Sequence, residues 1–178
     1  MALTVTGFAD HQQELAREVD ATVLQHVQTL AQRRISERLP LAYLLGRCQF
    51  MGYEFELEPG VVVPRSPIGY LLEDWPDGLL PHVKLDRDEV RRVVDVCSGC
   101  GCLGIIAAHN FTDAEVTLIE LDPKAAALAR RNVRHHALQD RVTVVEGDAL
   151  EALADLATDA DLIISNPCLL YTSPSPRD

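Results

Sequence analysis

Between Asp10 and Ile35 the apolar residues Leu15, Val19, Val23, Leu24, Val27, Leu30 and Ala31 recur at spacings of three and four, with polar residues between them. That period predicts an amphipathic helix with one apolar face. A second short helix is predicted over Leu41, Leu44 and Leu45, stopped by Gly46. From Cys48 the period changes. Phe50, Tyr53, Phe55 and Leu57 lead into Glu58-Pro59-Gly60 and then Val61-Val62-Val63, which predicts a β-hairpin turning at Pro59-Gly60. Pro64 and Pro67 bracket a break, Ile68 to Trp75 predicts another short helix, and Pro76-Asp77-Gly78 ends it.

At Val90 a regular strand and helix alternation begins. Val93 to Val96 reads as a buried strand, Gly99 to Gly104 as a glycine loop and Leu103 to Asn110 as the opening of a helix. Val116 to Leu121, Val142 to Val145 and Leu162 to Ile164 read as further strands, and Pro123 to Ala137 as a helix with proline near its first position. Four strands alternating with three helices predict an α/β fold, a doubly wound parallel sheet whose ligand chemistry sits at the carboxyl ends of the strands. The expected organisation is a helical module over 1–46, a hairpin connector over 47–64, a short helix and linker over 65–89, the α/β domain over 90–167 and a tail over 168–178.

Composition narrows the partners. The 178 residues are 47% hydrophobic and 24% charged, which excludes a disordered or fibrous chain. Sixteen Lys and Arg against 27 Asp and Glu give a net charge of −11, so a general affinity for nucleic acid would work against self-repulsion. A basic protein or a cationic small molecule suits it better. No run approaches the roughly 18 apolar residues of a membrane span, and Met1 to Gln13 lacks the charge and apolar pattern of a signal peptide. A cytoplasmic protein is expected. Cysteines 48, 97, 100, 102 and 168 are odd in number, a poor match to a secreted disulfide framework. Cys97-x-x-Cys100-x-Cys102 raises the question of a metal, but the interleaved glycines suit a tight turn better than a ligand cage, and no metal is expected.

Gly99-x-Gly101-x-x-Gly104 follows a strand, opens a helix and precedes the acidic Glu120 at the end of the next strand. Glycines let backbone approach a nucleotide closely, and the acid accepts from a ribose diol. Nicotinamide dinucleotides and S-adenosylmethionine share both needs. Three further features favour the latter. Asp95 lies inside the first strand, where a carboxylate suits the cationic methionine end of S-adenosylmethionine rather than a pyrophosphate. Asp148, after the third strand, is placed to accept from an adenine amino group. Asn166-Pro167 ends the fourth strand with a side-chain carbonyl beside a backbone carbonyl, two acceptors that suit an amide or amino nitrogen. Each has a plainer reading, Asp95 and Asp148 as helix caps and Asn166-Pro167 as a turn. Jointly, in this order, the plainer readings are improbable.

VVDVCSGCGCLG (Val93 to Gly104), LIELDP (Leu118 to Pro123), VTVVEGD (Val142 to Asp148) and DLIISNP (Asp161 to Pro167) resemble the ordered motifs of class I S-adenosylmethionine-dependent methyltransferases of the HemK type, which methylate a glutamine side-chain amide in a protein. Arg38 to Gly46 and Val63-Pro64-Arg65-Ser66-Pro67-Ile68-Gly69 resemble the branch that acts on large-subunit ribosomal protein L three, whereas the release-factor branch has Pro-Asp-Thr-Glu after the arginine. The resemblance implies a Rossmann-like fold and S-adenosyl-L-methionine as cofactor. Asp95, Cys97, Ser98, Gly99, Cys100 and Gly101 would line its methionine and ribose, Glu120 would hold the ribose hydroxyls, and Asp148 would meet the adenine. Asn166 and Pro167 would be catalytic, aiming the substrate amide nitrogen. The helical module would dock the protein substrate. Alternatives are a release-factor glutamine methyltransferase, a nucleic-acid adenine methyltransferase, a nicotinamide-binding Rossmann protein and an inactive fragment.

After Pro167 the resemblance stops. The family continues Asn-Pro-Pro-Tyr, whereas Cys168 to Asp178, CLLYTSPSPRD, resembles one frame of a translated sequencing adaptor. The expectation is a domain truncated after its fourth strand, with an open edge that lowers solubility.

Overall fold

Asp20 opens the first helix. Its carboxylate accepts from the amide of Thr22 at 2.7 Å, meeting one of the free N–H groups of the first turn. Helix α1 (Ala21–Glu37) then runs to Arg38, whose left-handed backbone ends it, and α2 (Leu41–Leu45) stops at Gly46, also left-handed. Val23, Val27, Leu30 and Ala31 form the least exposed stripe of α1, in keeping with the sequence period. The computed structural model describes residues 20–75, 85–156 and 159–167, in two compact units, Met1–Gly46 and Arg47–Asp178. Asp10 to Val19, where the first helix was expected to start, and the tail after Pro167 lie outside the described residues.

The second unit begins with a hairpin, but its turn differs from the expected one. Strands β1 (Arg47–Phe50) and β2 (Tyr53–Glu56) pair antiparallel, from Arg47 opposite Glu56 to Phe50 opposite Tyr53. The turn is Met51-Gly52, both with positive φ, the two-residue geometry that matches strand twist. Glu58-Pro59-Gly60 makes a separate bend, closed by the Val61 amide donating to the Glu58 carbonyl, and Val61 to Val63 form no strand. Pro64 removes a ladder donor at their end, and the hairpin's two strands already satisfy each other. Helix α3 (Pro67–Glu73) follows, capped by Ser66 with Pro67 in its first turn.

The sheet is parallel, in the order β5-β4-β3-β6, from β3 (Arg92–Val96), β4 (Glu115–Glu120), β5 (Val142–Glu146) and β6 (Leu162–Ser165). Alternation sorts its residues by face. Val93, Val116, Leu118 and Val142 pack with α4 (Cys102–Asn110) and α5 (Pro123–His135), whereas Val94, Val96 and Ile119 pack with Ala149, Ala152 and Leu153 of α6 (Ala149–Leu156). Helix α4 is apolar all round because the sheet covers one side of it and α3 with the hairpin the other. Phe55, Ile105 and Leu118 are fully buried there, each worth on the order of 2 kcal/mol. The strand order reverses about β3, with β4 and β5 to one side and β6 to the other, which opens a crevice at the carboxyl ends of β3 and β6.

Arg87, in a short 3-10 turn (Arg87–Glu89), donates to the carbonyls of Glu73 and Trp75 and to the Asn110 side chain. The end of the connecting segment is thereby fastened to α3 and α4. Residues 76–84 of the expected linker lie outside the described residues.

Candidate active site

A cavity of about 740 Å³ opens at that crevice. One wall is formed by Cys97 to Cys100 of the loop between β3 and α4, and a second by the irregular segment Gly60–Ser66. The loop turns by three left-handed residues, Cys97, Gly99 and Gly101. A Cβ at Gly101 would come within 2.9 Å of Leu118, and one at Gly104 within 2.1 Å of the same side chain, so both glycines let α4 sit directly on β4.

Glu120 braces the loop. One carboxylate oxygen accepts from the Gly99 amide at 2.7 Å and the other from the Asp122 amide at 2.9 Å. Each oxygen keeps a free lone pair on the half-buried side chain, enough to accept from vicinal hydroxyls. Ser98 is buried, and its Oγ is the one buried side-chain polar atom without a hydrogen-bond partner among the described residues. It lines the cavity, where a ligand's polar group would satisfy it.

Asp95 is 1% exposed and accepts from the Gly104 amide in the first turn of α4 at 2.8 Å. Burial pushes its carboxyl up to about 7, with the Gly104 amide opposing that shift and the Glu120 charge adding to it. The helix-capping reading and the site reading therefore meet in one residue, since Asp95 also lines the cavity. Its carboxylate takes a place at the helix N-terminus where a dinucleotide's pyrophosphate would otherwise bind. Among the described residues that line the cavity, Glu120, Asp122 and the partly ionised Asp95 stand against one guanidinium, Arg65, a balance that favours a cationic ligand over a diphosphate.

Asn166 and Pro167 line the rim of the cavity, exposed at the end of β6, whose Ser165 hydroxyl donates to the Val96 carbonyl of β3. Cys97 and Cys100 line it too. Burial raises the Cys97 thiol, helped by Glu120, Asp95 and Asp148, so it stays protonated at neutral pH and is a poor nucleophile. Among the described residues no group of three or more His, Cys, Asp or Glu is placed to hold a metal ion. Two of the expected site residues, Gly101 and Asp148, are not among those that line the cavity. Gly101 instead packs against Leu118. Asp148 has a different partner. It accepts from the Leu150 amide at 2.7 Å, as a cap of α6 does, and does not line the cavity. The sequence pattern did not point to the wall Gly60–Ser66, of which Gly60 to Pro64 fell in the expected hairpin connector, nor to Asn132.

The family model for "Methyltransferase small domain" matches residues 78–172. The chain belongs to this methyltransferase family. Within it, the chain is 42% identical over 153 residues to the ribosomal protein uL3 glutamine methyltransferase of Bordetella pertussis, covering 84% of this chain and 49% of that one. The Francisella tularensis protein of the same name is 38% identical over 135 residues, 76% of this chain and 41% of that one. The methyltransferase chain described here thus spans about half the length or less of these relatives. Among solved structures, the N-terminal domain of human METTL16 superposes with a TM-score of 0.53 at 20% identity, covering 76% of this chain and 53% of that chain. That likeness is one of fold, the class I Rossmann-like methyltransferase fold expected from the sequence. No helix among the described residues is long and apolar enough to cross a membrane.

Proposed function

We propose that the protein is a cytoplasmic, S-adenosylmethionine-dependent methyltransferase acting on a glutamine side-chain amide, with ribosomal protein uL3 as its substrate. The observation that carries this reading is Asn166-Pro167 at the rim of an acid-lined cavity that holds the unpartnered Ser98 hydroxyl. The identity to uL3 glutamine methyltransferases supports the substrate.

The residues present fit the cofactor. Glu120 offers its spare lone pairs to the ribose hydroxyls, Ser98 offers a buried hydroxyl, and the carboxyl of Asp95 lies beneath the loop for the cationic methionine end. When bound, S-adenosylmethionine supplies an electrophilic methyl group on a sulfonium. The chain's task is placement. A carboxamide nitrogen is a weak nucleophile because its lone pair is delocalised into the carbonyl. The Asn166 side-chain carbonyl and the Pro167 backbone carbonyl would accept the two amide hydrogens, orient the nitrogen toward the cavity and stabilise the positive charge that develops on it. Asp148 is proposed to meet the adenine edge from outside the cavity lining, and the segment 1–46 to dock the protein substrate. An acidic enzyme facing a basic ribosomal protein needs no nucleic-acid contact.

Asn166→Ala in the intact enzyme is expected to lower methyl transfer to uL3 by roughly 100-fold or more. Binding of S-adenosylhomocysteine, measured by calorimetry, is expected to stay close to that of the unmodified enzyme. Equal loss of both would remove Asn166 from the role of amide acceptor. Transfer to a release factor in preference to uL3 would reassign the substrate.

A further inference from the structure

Asn132 lies on α5, outside the cavity lining, and is completely buried. Both hydrogens of its amide and one lone pair of its oxygen are used. Its Oδ1 accepts from the Glu56 amide at 2.8 Å, and its Nδ2 donates to the Glu56 carbonyl at 3.2 Å and to the Cys100 carbonyl at 2.9 Å. Only an oxygen can meet the Glu56 N–H, so the orientation of this amide is determined by its surroundings.

One of the two backbone partners lies in a wall of the cavity, and the other leads into the second wall. Cys100 is in the glycine loop. Glu56 ends β2, and the chain leaves it through the buried Leu57 to form the wall Gly60–Ser66. The walls approach at Val61, whose Cγ1 is 4.0 Å from where a Cβ of Gly99 would stand. Beside Asn132, Arg131 pairs with Glu56 at 2.9 Å and with Glu58, reinforcing the same strand end from the surface. A packing role alone would be met by an apolar residue, as at the neighbouring core positions Leu128, Ala129 and Val133 of α5.

We propose that Asn132 is a positioning residue that holds the two walls of the cavity at the separation the cofactor requires. This rests on the reading of the cavity as the S-adenosylmethionine site. Asn132 touches no ligand. It acts through Cys100 and Glu56, so that the loop and the wall are already ordered before binding.

The test uses Asn132→Asp, which keeps the shape and the acceptor for Glu56 but loses the paired donors to Glu56 and Cys100. Val133→Ala, a buried neighbour on α5 with no polar contact to either wall, is the control for destabilisation. Affinity for S-adenosylhomocysteine is measured by calorimetry well below both melting temperatures. Asn132→Asp is expected to weaken it about tenfold to a hundredfold, the cost of losing an outer positioning hydrogen bond, with the control unchanged. Equal weakening in the two variants, or binding by Asn132→Asp as tight as that of the unmodified chain, would overturn the proposal. Should Asn132→Asp not fold, the side-chain amide resonances of Asn132 in the unmodified chain decide. Slow hydrogen exchange and a shift on adding S-adenosylhomocysteine support the role, and fast exchange or no shift overturns it. Failure of the unmodified chain to bind S-adenosylhomocysteine would overturn the cofactor reading itself, and this proposal with it.

Discussion

Asp95 carries a charge conflict that can be read as a function of pH. Its carboxyl titrates at about 7 in the fold against an ordinary value of 3.8, because burial disfavours the anion. A raised carboxyl holds its proton more tightly folded than unfolded. The stability from that proton is complete below about pH 4 and is lost as pH rises to about 7. Asp95→Asn keeps an acceptor for the Gly104 amide and removes the titration. The variant should therefore gain on the unmodified protein across that window, by an upper bound on the order of 4 kcal/mol. Melting temperature against pH checks this, and parallel curves would refute it. The residue was legible in the sequence, as a carboxylate inside an apolar strand before a glycine loop. Its partner at Gly104 was not, because the amide that meets it depends on how α4 sits on β3. Asp148 was read from the same kind of signal, yet in the fold it caps α6.

At the scale of elements, the hairpin is tied to the α/β domain by rings rather than by sheet pairing. Tyr53 of β2 stacks on His109 of α4 at 4.6 Å, and His136, just past α5, lies edge-on to Tyr53 and close to Phe55. The Nε2 of His136 faces the Glu54 carbonyl at 2.9 Å and must donate to it, which leaves Nδ1 to accept from His109 at 3.3 Å. Burial lowers both imidazoles. Arg141 adds to the effect on His109, and His109 and His135 add to that on His136, against the Glu54 carbonyl. Lowered histidines give stability that is full above the ordinary value of 6.5 and is lost as pH falls through their folded values. Amide exchange of Tyr53 to Glu56 should therefore speed up between about pH 7.5 and 5.5, beyond the ordinary pH effect on exchange itself, and His136→Gln should flatten that change. Equal protection at both pH values would count against these ring contacts as the tie that holds the hairpin. The four strands and helices α4 and α5 were legible to within a residue or two, because each buries a local periodic pattern. The hairpin turn was not. Pro59-Gly60 is the stronger turn signal in the sequence, but Met51-Gly52 places Phe55 in the core.

For the whole molecule, a net charge of −11 sets the field that an approaching partner meets. Association with the proposed substrate, a basic ribosomal protein, should slow several-fold as ionic strength rises from about 50 to 300 mM, where the screening length falls below about 10 Å. Stopped-flow association rates measure this, and a rate indifferent to salt would remove steering from the account.

The sequence by itself determined the elements that local patterns specify. Apolar runs became strands, the central β3 the most deeply buried, threefold and fourfold spacing became helices, and the closely spaced glycines became the loop that approaches a ligand. It also carried the family, because the ordered motifs lie at strand ends in chain order. Only the tertiary structure decided the sheet order β5-β4-β3-β6, the use of Gly60–Ser66 as a cavity wall, and the meeting of Asn132 with Glu56 and Cys100. Asn132 left one trace in the sequence, a polar residue within the buried stripe Ala125, Leu128, Ala129 and Val133 of α5. Its partner Glu56 lies 76 residues away in the chain. Contacts over such separations are set by how helices and sheet pack in three dimensions, and no local period encodes them.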